Sequence, residues 1–182
     1  MFGPHDDRIA EVTHRLREGE RCKLPHFGIE FGVMEIPAHT RSHIAFHGAG
    51  MVFSGDTLFA VGCGRLFEGT PGQMHDSLSR LMQLPDDTRV YCGHEYTVSN
   101  IRFALAVEPD NAALRALDAK AKKLREQDLP TLPSTIGQEK ATNPFVRVRE
   151  PAVIAAANRH AGKTLNDPVS VLGTIREWKN SF

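Results

Sequence analysis

Only three cysteines, Cys22, Cys63 and Cys92, occur in this 182-residue chain, and no two are spaced as C-x-x-C. An odd number so far apart argues against a disulfide framework and for a reducing, cytoplasmic setting. Neither sign of charge is in excess, since 22 Lys plus Arg balance 22 Asp plus Glu. Bulk charge therefore selects neither nucleic acid nor a membrane surface as partner. No apolar run approaches membrane-spanning length, and Met1-Phe-Gly-Pro-His-Asp-Asp-Arg8 holds no apolar signal core. Internal repeats and low-complexity segments are also missing.

What remains is an ordinary globular composition, 41% apolar and 24% charged. The chain is long enough for one large domain or two small ones. An amphipathic helix is expected over 6–17, followed by extended segments over 21–24, 31–36, 44–47 and 51–54. A glycine-rich loop covers 55–69. The spacing of Met74, Ser77, Leu78, Leu81 and Met82 predicts a helix over 72–84 that Pro85 stops. A further strand is expected over 89–92, and this alternation indicates an α/β layered core. From Thr97 the character is helical. A helix covers 100–107, and Asp110 caps a long one to about 127 with Leu114, Leu117, Ala121 and Leu124 on one face. Two more follow over 151–160 and 168–179. The boundary is placed near residue 97, giving a mixed α/β part over 1–96 and a helical part over 97–182.

Three potential metal ligands stand at strand exits: His39 after 31–36, Asp56 after 51–54 and His94 after 89–92. Side chains there are held rigidly and can converge from distant stretches, as a metal site requires. Two imidazoles and a carboxylate suit zinc, and also iron or manganese. Asp56 in Ser54-Gly-Asp-Thr57 could bridge two cations for joint activation of a water, or could simply be a turn aspartate. His43 is a candidate for orienting a ligand. In the loop Gly62-Cys-Gly-Arg-Leu-Phe-Glu-Gly69, Arg65 could meet an anionic group and Phe67 cover its apolar part, although a solvated arginine is equally compatible. Cys63 has no adjacent base and is read as structural. Arg147 and Arg149, two apart on an expected extended segment, share one face and suit either carboxylate recognition or surface ion pairs.

Several strings together resemble glyoxalase II, the hydroxyacylglutathione hydrolases of the metallo-β-lactamase superfamily. They are Pro37-Ala-His-Thr-Arg-Ser-His-Ile44, Val52-Phe-Ser-Gly-Asp-Thr-Leu-Phe59, Gly62 through Thr70, Val90-Tyr-Cys-Gly-His-Glu-Tyr-Thr97 and Asn143-Pro-Phe-Val-Arg147. The resemblance runs nearly end to end. It implies the C-terminal part of a metallo-β-lactamase αββα sandwich followed by a small α-helical domain. It also implies hydrolysis of S-(2-hydroxyacyl)glutathione thioesters such as S-lactoylglutathione, a step in methylglyoxal detoxification, at a centre of two divalent cations, zinc foremost. His39 would bind the first metal, His94 the second, and Asp56 would bridge them. Arg65, Phe67 and Tyr96 would line the glutathione site, with Arg147 and Arg149 approaching its glycine carboxylate.

The family's T-H-x-H-x-D-H motif does not occur in this chain, and the resemblance places it upstream of Phe2-Gly-Pro. The chain is therefore expected to start inside the lactamase-like domain, to bind metal weakly and to hydrolyse slowly. An uncovered sheet edge is expected to favour self-association. The alternatives are a non-catalytic module that binds glutathione conjugates, or half of a split enzyme.

Overall fold

Short alternating apolar runs, separated by turn residues, set the strands that organise this molecule. A computed structural model describes residues 1–182. The strands are β1 (Phe2–Pro4), β2 (His14–Leu16), β3 (Arg21–Leu24), β4 (Ile29–Glu35), β5 (Ile44–Gly48), β6 (Met51–Gly55), β7 (Leu58–Phe59), β8 (Gly62–Cys63), β9 (Arg89–Cys92) and β10 (Ser134–Thr135). The helices are α1 (Pro71–Leu81), α2 (Thr97–Val107), α3 (Ala112–Glu126), α4 (Ile136–Thr142), α5 (Pro151–Ala161) and α6 (Pro168–Ser181). None is long and apolar enough to cross a membrane.

The main sheet has six strands in the order β10-β9-β6-β5-β4-β3. Strands β3 to β6 form an antiparallel meander, and β9 then joins β6 in parallel. Two antiparallel steps make β4 run the same way as β6, and β9 does too. The carboxyl ends of β4, β6 and β9 therefore open on one side of the sheet.

Side chains alternate between the two faces. Ala45, Val52 and Val90 face inward and are fully buried with Met74, Leu78 and Leu81 of α1. Beyond α1 lie Val171, Leu172 and Ile175 of α6, so the main core draws on residues from both sides of residue 97. Each such leucine or isoleucine contributes about 1.5–3 kcal/mol. Helix α1 starts at Thr70, whose hydroxyl accepts from Gln73 N while Gln73 Oε1 accepts from Thr70 N. This reciprocal cap contributes about 1 kcal/mol.

The opposite sheet face carries Phe46, Phe53 and Tyr91 in register. Phe53 stacks on Tyr91 and meets Phe31 edge-on, yet remains 40% exposed. The sheet does end on an edge strand, β3, but Arg21 and Lys23 pair with Glu30 across it and blunt it with charge. Phe53 thus exposes apolar surface on a face rather than along that edge.

The helix expected over 6–17 is not formed. Phe2–Pro4 and His14–Leu16 pair as parallel strands, and Asp6 accepts from the backbone and side chain of Arg8 and from Ser42. An aspartate that bonds its own neighbourhood in this way competes with helix. Helix α4 has no counterpart in the sequence expectations, because seven residues containing Gly137 show no apolar period. The cap of α3 is Asn111, which accepts from Leu114 N, rather than Asp110.

Candidate metal centre and its cleft

The common direction of β4, β6 and β9 brings His39, Asp56 and His94 together. Pairing of β6 with β9 is irregular between Phe53 and Gly55, which frees Asp56 from the ladder. His94 lies two residues past β9, and His39 four residues past β4. Asp56 Oδ2 is 3.8 Å from His39 Nε2, and Asp56 Oδ1 is 3.4 Å from His94 Nε2. The carboxylate thus turns one oxygen to each imidazole, and buried Oδ1 has no hydrogen-bond partner.

The surroundings fix these groups. His39 Nδ1 donates to the Arg65 carbonyl at 2.9 Å, so the lone pair of a neutral ring is at Nε2, facing Asp56. Asp56 N donates to His43 Nε2 at 3.3 Å. Burial, then the neighbouring His39, pushes the pKa of His43 down, which keeps its ring neutral and able to accept. Backbone passes unusually close to Asp56. A Cβ on Gly64 would come within 2.0 Å of the Asp56 carbonyl oxygen, and one on Gly93 within 2.7 Å of Oδ1. Only glycine fits at either position.

These residues fit a cation bridge, because an unpaired buried carboxylate oxygen between two imidazoles is a natural seat for one. They do not form a closed cluster of three ligands around one point. His39 and His94 instead each face their own oxygen of Asp56.

A cleft of about 540 Å³ opens over this group. Phe67, 67% exposed, lies over His39 with ring centroids 5.0 Å apart, and Tyr96, 49% exposed, stacks on His94 at 5.2 Å. Arg65 is exposed at the rim. The expected residues Arg65, Phe67 and Tyr96 therefore do line the cleft.

Arg147 and Arg149 do not. The segment after α4 is a series of turns rather than extended, which corrects the expectation that the two share a face. Arg147 forks onto Glu108, Nε to Oε2 at 2.9 Å and Nη2 to Oε1 at 3.1 Å. Glu108 is only 4% exposed, so this guanidinium is taken up by a buried carboxylate. Arg149 borders a separate small groove beside His75 and Met82.

The cleft's inner cations are instead Arg176 and Lys179 of α6. Arg176 is 5% exposed, donates to the Cys63 carbonyl at 2.7 Å and leaves Nε unpaired. Lys179 Nζ bonds Asn100 Oδ1, and burial, with Arg176 nearby, lowers its pKa to about 8. Neither cation has a carboxylate partner, which is rare for buried charge. The sequence signal was weak: Arg176 and Lys179 are three apart on one helical face, but nothing in the string indicates that this face meets a cleft built mainly from residues 39–100. A second cleft of about 510 Å³, between 4–8 and 41–44, contains Arg8, which pairs with Asp6 and with Glu68.

The family profile "Metallo-beta-lactamase superfamily" matches residues 4–94, and "Hydroxyacylglutathione hydrolase C-terminus" matches residues 95–182. The chain is 52% identical to a hydroxyacylglutathione hydrolase of Nitrosomonas europaea, over its whole length and 70% of that protein. It is 50% identical to one of Pseudomonas aeruginosa, covering 71% of it. Among solved structures, ETHE1 from Myxococcus xanthus superposes with a TM-score of 0.57 at 24% identity, over 99% of this chain and 65% of that one. A metallo-beta-lactamase from Staphylococcus aureus gives 0.54 at 19% identity, over 98% of this chain and 48% of that one. Likeness at this level of identity concerns the fold alone.

Proposed function

Since this chain belongs to the hydroxyacylglutathione hydrolases of the metallo-β-lactamase superfamily, we propose that its cleft hydrolyses S-(2-hydroxyacyl)glutathione thioesters such as S-lactoylglutathione. The observation that carries this reading is the division of Asp56 between two imidazoles, with Oδ1 buried and otherwise unpaired. His39 and His94 would each hold one divalent cation, zinc first among candidates, and Asp56 would join them. Such cations, when bound, lower the pKa of a water toward 7 and polarise a carbonyl.

This chain's own residues do the rest. Phe67 and Tyr96 confine the acyl-sulfur region above the two histidines, while Phe59, buried against Tyr96 with ring centroids 5.2 Å apart, closes its floor. Arg176 and Lys179, the two uncompensated cations, would receive the carboxylates of the glutathione moiety, with Arg65 at the rim. Burial strengthens such charge-assisted hydrogen bonds. Arg147 belongs to the fold in this reading, through Glu108. Arg149 has no role in the cleft.

The test is hydrolysis of S-lactoylglutathione by the zinc-loaded chain, with Asp56→Ala as control. Hydrolysis that falls to background in the variant supports the assignment. A zinc-loaded, folded chain with no activity above Asp56→Ala contradicts it.

A second reading is favoured by Arg176 and Lys179. A buried and a half-buried cation without a carboxylate partner can bind a glutathione conjugate whether or not metal is present, making the chain a non-catalytic binding module. Calorimetry with glutathione under chelator separates the two, because full affinity without metal together with no hydrolysis supports the module.

A further inference from the structure

The turn between β7 and β8 is held at every residue by a side chain from the helical part. Asn143 Nδ2 donates to the carbonyls of Phe59 at 3.4 Å and Gly62 at 3.0 Å. Asn100 Nδ2 donates to the Ala60 carbonyl at 2.9 Å. Val61 N donates to Glu139 Oε2 at 2.8 Å, and Arg176 Nη1 donates to the Cys63 carbonyl at 2.7 Å. Asn143 also donates to Glu139 Oε2 at 2.9 Å, joining two of these anchors.

Val61, at the centre, is fully buried and has φ 59. A β-branched residue in the left-handed region is strained and persists only where its surroundings over-determine it. At Val61 itself the anchor is Glu139. It is itself 0% exposed, on α4. Desolvation raises its pKa to about 7, against the hydrogen bonds from Asn143 and Val61. Val61 and Asn143 both donate to Oε2, and Oε1 is buried without a partner of its own.

The same turn leads directly into the candidate centre. Phe59 packs on Tyr96, Gly64 lies against the Asp56 carbonyl, and the Arg65 carbonyl receives His39 Nδ1–H. We propose that Glu139 is a positioning residue for the cleft, holding through the Val61 amide the turn that delivers Phe59, Gly64 and the Arg65 carbonyl to Tyr96, Asp56 and His39. Its consequence for turnover rests on the thioester-hydrolase reading, but the linkage from Glu139 to His39 does not.

The experiment uses the full, metal-free chain labelled with ¹⁵N, in three forms: unaltered, Glu139→Gln and Glu139→Asp. Amide exchange at Val61 and the imidazole tautomer of His39 are read together, with Val52 and Leu172 amides reporting the core. Glu139→Gln keeps an acceptor for Val61 and should leave both readouts unchanged. Glu139→Asp withdraws the carboxyl by one methylene. It should speed exchange at Val61 by about a hundredfold, leave Val52 and Leu172 within about threefold, and move His39 off the single Nδ1–H tautomer. Unchanged Val61 protection in Glu139→Asp overturns the proposal. So does equal loss of protection throughout the core, or an opened Val61 with an unmoved His39, because either outcome confines Glu139 to support of the fold. Neither readout uses metal or substrate, so a chain that hydrolyses nothing leaves this result standing.

Discussion

His43 Nε2 accepts the backbone amide of Asp56 at 3.3 Å, and this bond ties the carboxylate that faces both imidazoles to the loop that also carries His39. The cost of removing such an outer partner is commonly 10–100-fold in metal affinity. His43→Ala should therefore weaken zinc binding by about 10–100-fold while leaving the thermal midpoint within a few degrees. Competition with a chromophoric chelator measures it, and an unchanged affinity would remove His43 from the site.

Arg147 and the α6 cations should separate cleanly. Arg147→Ala leaves Glu108 buried and unpaired, which should cost about 3 kcal/mol in denaturant unfolding, with glutathione affinity in the folded fraction unchanged. Arg176→Met and Lys179→Met should each weaken glutathione binding by about tenfold or more. If Arg147→Ala, and neither α6 variant, impairs binding, the assignment of the carboxylate contacts to α6 fails.

Much of the sheet was legible from the sequence, because strands 21–24, 44–47, 51–54 and 89–92 are short apolar runs bounded by turn residues. His39, Asp56 and His94 were legible for the same reason, as polar residues just past such runs. The residues that hold them were not. Glu139 and Asn143 act on a turn some 80 residues earlier, and an isolated polar residue in a short helix carries no periodic signal. Arg147 looked like a binding residue because the string does not show that Glu108 is waiting for it. Over 6–17 the sequence suggests an amphipathic helix, but the local bonds of Asp6 prevail.

Glu139 makes stability depend on pH in a definite direction. Its folded value of about 7 lies above the ordinary 4.5, so between those values the folded state binds more protons than the unfolded one. Its contribution is fully present below about pH 4.5 and is lost as pH rises through 7, amounting to about 3 kcal/mol at most. Glu139→Gln should abolish that component. Urea midpoints at pH 5 and pH 8 decide it, and equal slopes with pH in the two proteins would contradict it.

Phe53, 40% exposed beside half-buried Phe46 and Tyr91 on one sheet face, is apolar surface that favours self-association. Phe53→Lys, at the most exposed of the three, should shift light-scattering mass toward the monomer. A charge added at the β3 edge, already bearing Arg21 and Lys23, should do little. The reverse order of effects would return the liability to the edge.

Metal content per chain tests the central claim most directly, by elemental analysis of monodisperse protein after zinc loading, with His39→Ala and Asp56→Ala alongside. Asp56 shared between His39 and His94 predicts bound zinc, up to two ions per chain, that is lost in both variants. Folded protein without bound metal, or zinc undiminished by Asp56→Ala, would contradict it.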